Sequence, residues 1–180
     1  MKYPLLIILS SIIIFTNGCA NNEKITTSVK CIDISEVKTS YSPPILFTAS
    51  IACANKEEPM KAAQLFLFAR IYGSFDISRV ADRTSHQIIG IMVQNSFKAM
   101  GRNADSVQKE INSKLIKEPE IFKHFCNVVK KIGKPNYYPR YMINHGMGAV
   151  LNAMGKGKSQ GLKENFNENK AWVKNLKRCA

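Results

Sequence analysis

Pro43 to Gly73 reads PPILFTASIACANKEEPMKAAQLFLFARIYG, and the period of its apolar residues decides the fold. Ile45, Leu46, Ala49, Ile51, Ala52 and Cys53 form one apolar surface before a polar break at 55–58, the pattern of a half-buried helix. Pro59 stands where a helix best accepts proline, in a first turn whose amide hydrogens have no partner within the helix. Leu65, Phe66, Phe68, Ala69 and Tyr72 then recur at helical spacing, and Gly73 is placed to end the run. Two such helices with so short a break pack as antiparallel neighbours.

The same reading continues downstream. A long third helix is expected from about Asp76 to Met100, with Ile77, Val80, Ala81, Thr84, Ile88, Ile91, Met92 and Asn95 along one face and Gly101 after it. Asn103 or Asp105 can cap a fourth helix to Ile116. A fifth runs from Glu118 and Pro119 to Gly133, a sixth from Arg140 to Met154, and the last from about Leu162 to Lys177. No alternating run is long enough for a strand. The expected fold is all-α, a compact antiparallel domain of about six to seven helices over residues 43–180. Residues 19–42 are polar and end in Pro43 and Pro44, so they read as a tether with a short ordered piece around Cys31.

The N-terminus supplies an address. Lys2 is a positive start, Leu5 to Phe15 is apolar but for Ser10 and Ser11, and Thr16-Asn17-Gly18-Cys19 follows. The apolar run is about half the ~20 residues that span a bilayer. This segment resembles a bacterial lipoprotein signal peptide, although Thr16 stands where that family usually has Leu. The resemblance implies removal of residues 1–18 and a lipid on Cys19. With Ala20 in place of a retaining Asp, it also implies the periplasmic side of a Gram-negative outer membrane. Ordinary secretion with a cut after Ala20 stays open, and both routes export the chain.

Either route sets Cys19 apart and leaves Cys31, Cys53, Cys126 and Cys179, an even set in an oxidising compartment, so two disulfides are expected. Three pairings are open; Cys31 with Cys53 and Cys126 with Cys179 is favoured, pinning the N-terminal arm and the last helix. No CxxC is present, and the cysteines and histidines are too scattered for structural zinc, so neither a metal nor a cofactor is expected.

About 160 residues remain after the signal, enough for one core. Twenty-six Lys and Arg stand against thirteen Asp and Glu, a net charge of +13 that favours anionic contacts. In an exported protein these are head groups, acidic polymers or an acidic protein, and nucleic acid is not an expected partner. A solvated surface explains many of these lysines equally.

Candidate sites are few. At the head of the expected long helix, Asp82 and His86 are four residues apart and can meet, a fragment of acid and base machinery. No GxSxG or HExxH completes it, and Asp76 or Ser78 as a cap, with Arg79, Asp82 and His86 tying helices together, is the simpler use. Tyr137, Tyr138, Arg140 and Tyr141 offer aromatic faces and a guanidinium suited to a partner, or to closing a helical core. Gly155-Lys156-Gly157-Lys158-Ser159 ends like a phosphate loop, but Asn152 stands where that motif needs glycine, so it reads as a linker.

Ala62, Phe66 and Ala69 resemble the second helix of a tetratricopeptide repeat, with Ser50 and Cys53 in place of the Gly and Tyr of its first helix and no second copy along the chain. That resemblance implies a groove for a peptide or protein. By size, address and helical class the chain resembles immunity proteins, the inhibitors of envelope-directed secreted toxins, and accessory lipoproteins of envelope complexes. The expected function is a protein-binding module with an acidic or toxin partner, not an enzyme. A small hydrolase of cell wall or lipid using Asp82 and His86, and a structural lipoprotein holding anionic envelope polymers, are the alternatives.

Overall fold

The computed structural model describes residues 29–157 and 161–179. Its longest helix, α2 (Pro59–Arg79), is buried around most of its circumference. Ala62, Leu65, Phe66, Ala69, Tyr72 and Phe75 are almost inaccessible to water, which puts the helix at the centre of the domain with Arg70 and Ser74 left on its outer face. α1 (Pro43–Asn55) lies antiparallel against it, with the Phe47 and Phe66 rings 5.3 Å apart and Ser50 Oγ donating to the Ala62 carbonyl at 2.7 Å. Phe66 also meets Phe97 of α3 (Ile88–Met100) at 4.7 Å. Truncating so central a ring to alanine costs about 3–5 kcal/mol.

α4 (Ala104–Lys109) runs on into a π-helical segment, Glu110–Leu115. Val107, Ile111 and Leu115 point into the core while Ile116 is left 59% exposed. α5 (Pro119–Ile132), the short α6 (Arg140–Ile143) and α7 (Met147–Ala153), and α8 (Glu168–Asn175) complete the chain. The fold is all-α, as the periodicity predicts; among the described residues the one extended pairing is an isolated bridge between Val80 and Leu162. No described helix is long and apolar enough to cross a membrane.

Both favoured disulfides are present, Cys31–Cys53 and Cys126–Cys179, and they fit an extracytoplasmic, oxidising compartment. The first belongs to an arm that is more than a tether. Ile34 and Val37 are buried in the main core, Asp33 and Glu36 form a capping box around the 3-10 turn Ile34–Glu36, and Asn136 donates its amide to the Thr39 carbonyl at 3.0 Å. The folded body therefore includes Cys31 to Ser42, ahead of the boundary expected at Pro43. The signal segment, Cys19 and the rest of the expected tether to residue 28 lie outside the described residues, as do Lys158 and Ser159.

Four of the expected helices differ in their bounds. Gly73 does not end α2: a Cβ there would come within 2.7 Å of Ile89 Cδ1, so the glycine serves close packing of α3. The long third helix is broken between Arg79 and Ile88, because Val80 and Ala81 turn away to pair with residues 161–163. Ala81 donates to the Gly161 carbonyl and Lys163 donates to the Arg79 carbonyl, at 3.0 and 2.8 Å. The last helix begins only at Glu168, since Leu162 is spent on that pairing. The expected sixth helix is interrupted at 144–146, for a reason that lies in the site.

Candidate binding surface

The polar centre of the molecule is Asp76, fully buried on the last turns of α2. Arg79, one turn on and only 3% exposed, reaches its Oδ1 with Nε at 2.8 Å and Nη2 at 2.7 Å. The hydroxyls of Tyr137 and Tyr141 donate to Oδ2 at 2.8 and 2.7 Å. All four contacts are from donors, the coordination of an ionised carboxylate. Burial pushes the Asp76 carboxyl above the ordinary carboxylate range, with Arg79 and the two hydroxyls opposing that rise. Burial, and then the charge of Asp76, drives both tyrosine hydroxyls far above the usual phenol range, so they remain donors. The guanidinium also donates to the Tyr137 carbonyl at 2.9 Å and lies between the Phe75 and Tyr137 rings, 5.0 and 5.2 Å from their centroids.

This centre fixes the segment that carries α6. Of the four residues expected to meet a partner, Tyr137 and Tyr141 turn their hydroxyls inward onto Asp76, while Tyr138 and Arg140 stay exposed. Beside them a shallow hollow of about 370 Å³ is lined by Arg79, Lys134, Tyr137, Tyr138, Leu162 and Glu168. Lys134 Nζ lies 2.6 Å from a Glu168 oxygen there.

Asp82 and His86 do not form the expected helical pair, because the chain between them is a 3-10 turn, Arg83–Gln87. Asp82 heads that turn, and neither it nor His86 is on the predicted long helix. Its Oδ1 accepts the Thr84 amide and hydroxyl at 2.9 and 2.6 Å, and its Oδ2 accepts the Gly148 amide at 2.9 Å. His86 Nε2 lies instead 3.1 Å from the Val80 carbonyl oxygen. The Thr84 hydrogen bond is the main influence holding the Asp82 carboxyl below its usual value. Asp76 is likewise no cap, and its partner Arg79 does not reach Asp82.

Asp82 and Thr84 cap α7 from a distance, since Met147 donates its amide to Thr84 Oγ1 at 2.7 Å. This explains the break in the expected sixth helix. At Gly146 a Cβ would collide with Asp82 Oδ2 and lie 2.9 Å from Ser85 Cβ, so the chain turns there and presents the Met147 amide to Thr84 Oγ1 and the Gly148 amide to Asp82 Oδ2. Thus anchored, α7 leaves Met147, Val150, Leu151 and Met154 exposed at 55, 50, 39 and 56%. Their spacing of three and four places them on one face. The expected sixth helix, Arg140 to Met154, included these residues; that they find no partner in the core was not legible in the sequence.

The sequence of this segment is one-sided in charge, with Asp82 and Glu168 reaching it from elsewhere in the chain. No Asp or Glu occurs between Glu120 and Glu164, a stretch that holds Lys123, Lys130, Lys131, Lys134, Arg140 and Lys156 among its cations. His124 and His145 are both exposed, and no group of three potential metal ligands occurs among the described residues. The surface can bury apolar area and answer negative charge. No known protein family, curated protein or solved structure matches the chain.

Proposed function

We propose that this chain is an exported protein-binding module that docks an acidic partner through the outer face of α7, with Tyr138 and Arg140 beside it in the chain. Anchored by a lipid on Cys19 at the periplasmic face of a Gram-negative outer membrane, it acts as an immunity protein that inhibits an envelope-directed secreted toxin. The observation that carries this reading is the stripe Met147, Val150, Leu151 and Met154, four large apolar side chains left in water on one helical face. Exposed apolar faces of this kind are contact surfaces, and methionine adapts its shape to a partner. The absence of acidic residues from 121 to 163 supports an acidic partner. The hydrolase alternative is weakened by the engagement of Asp82 with Thr84 and Gly148.

The test is affinity capture of the native, lipidated protein from its own envelope at moderate salt, beside a Val150→Asp/Met154→Asp variant and a Tyr138→Ala/Arg140→Ala variant. Tyr141 is kept, because its hydroxyl holds Asp76. One stoichiometric acidic protein, lost in both folded variants and relieved of its toxicity by the wild type, is the expected result. Capture of lipid or glycan alone, weakening steeply with salt, overturns the protein-partner reading in favour of a structural lipoprotein on anionic polymers.

A further inference from the structure

A groove of about 900 Å³ runs between α2 and α8. α2 lines it with Leu67, Arg70, Ile71, Ser74 and Ser78, which share one helical face. α8 and the turn after it bring Ala171, Lys174, Asn175 and Lys177, and Ile116, Phe122 and Phe125 close the floor.

The groove is held open by its own walls. Trp172 packs against Tyr72 and Phe75 at 5.8 and 5.6 Å between ring centroids, Asn175 Nδ2 donates to the Ile71 carbonyl at 2.8 Å, and the Cys126–Cys179 disulfide ties the end of the chain to α5. These contacts set α8 antiparallel to α2 and carry Lys177 toward Arg70. A cleft pinned at both ends is preorganised and costs little further ordering on binding.

Its chemistry is divided. The floor is aliphatic and aromatic, the charged residues of the lining are Arg70, Lys174 and Lys177, and all three are exposed. The ion pairs among the described residues engage other groups, and no carboxylate of a described residue lines the groove. An extended peptide laid on that floor would bury backbone amides and carbonyls without partners. A hydrocarbon chain carries none. The volume is in the range of small-molecule sites, about 300–1,000 Å³.

We propose that the groove binds a single-chain anionic amphiphile, its acyl chain on the floor formed by Ile71, Ile116, Phe122 and Phe125 and its acidic head between Arg70 and Lys177, with Lys174 one turn away. This site is independent of the α7 surface.

The probe is monomeric dodecanoate added to the full mature protein with its disulfides intact, read by calorimetry and by the emission of Trp172, the only tryptophan of the chain. The expected result is saturable 1:1 binding, about fourfold weaker for each methylene removed, with dodecyl maltoside and dodecyltrimethylammonium at least about tenfold weaker than the carboxylate. Arg70→Gln/Lys177→Gln, at exposed positions that leave the fold intact by circular dichroism, lowers dodecanoate affinity about tenfold and leaves the neutral amphiphile unchanged. Ile71→Asp abolishes binding of both. Equal affinity for the neutral and anionic chains overturns the proposal, as does indifference to the Arg70/Lys177 change. Binding confined to an acidic amphipathic peptide, or to phosphatidylglycerol vesicles without binding of the monomer, also overturns it.

Discussion

Asp76 is where a single residue decides most. A buried ion pair is expensive to break from one side, because the remaining charge has no water to turn to. Asp76→Asn leaves buried Arg79 with only the part-exposed Glu168 carboxylate, 3.9 Å away, as counter-charge, and a loss of about 3–5 kcal/mol is expected in urea unfolding. Tyr141→Phe removes one donor to an ionised acceptor and is expected to cost about 1.5–3 kcal/mol, whereas Tyr138→Phe, at an exposed ring, changes stability little. A Tyr141→Phe protein as stable as wild type would show that the hydroxyl contributes nothing to the centre. The three-residue spacing of Asp76 and Arg79 is plain in the sequence, and so is the aromatic cluster from Tyr137 to Tyr141. That the two meet is not legible: their partners lie 61 and 65 residues apart, and no local pattern encodes such a contact.

At the scale of the element, α7 depends on a cap supplied from outside its own segment. Gly146→Ala places a methyl group against Asp82 and Ser85, and a destabilisation of about 1–3 kcal/mol is expected, with amide protection lost first at Met147 and Gly148. The cap also carries a pH dependence. The Asp82 carboxyl is depressed below its ordinary 3.8 by the Thr84 hydrogen bond and, less strongly, by the Gly148 and Thr84 amides. Its contribution is complete above that ordinary value and fades as pH falls through the depressed one. Protection of the Met147 and Gly148 amides in the wild type should therefore fall on acidification below about pH 4. A wild-type profile flat from pH 5 to 2, or the same fall in Asp82→Asn, would remove Asp82 from this role. The sequence permitted a continuous helix over 76–100 because Val80, Thr84 and Ile88 keep its period. Pairing of Val80 and Ala81 with residues 161–163 broke it, tertiary hydrogen bonds outweighing local preference.

For the whole molecule, the disulfides close loops whose ends lie 22 and 53 residues apart in sequence. In the chain-entropy picture these are worth about 3 and 4 kcal/mol. Cys126→Ser/Cys179→Ser is expected to lower stability by about that larger amount and to loosen α8, shifting Trp172 emission to the red as its packing on Tyr72 and Phe75 is lost. A variant with unchanged emission and midpoint would mean that aromatic packing alone holds α8. Sequence by itself determined the helical class, the central helix pair and its antiparallel packing. It also supplied, once export sets Cys19 apart, the expectation of two disulfides among Cys31, Cys53, Cys126 and Cys179 and the chain order behind the favoured pairing. All of these follow from near-neighbour periodicity, turn chemistry and parity, which are local or countable properties. Only the tertiary structure decided that Asp76 is buried instead of capping, that Asp82 serves α7 instead of His86, and which apolar side chains remain outside. Those outcomes depend on which distant segments compete for the same carboxylate or the same patch of core, and that competition is resolved in space, not along the chain.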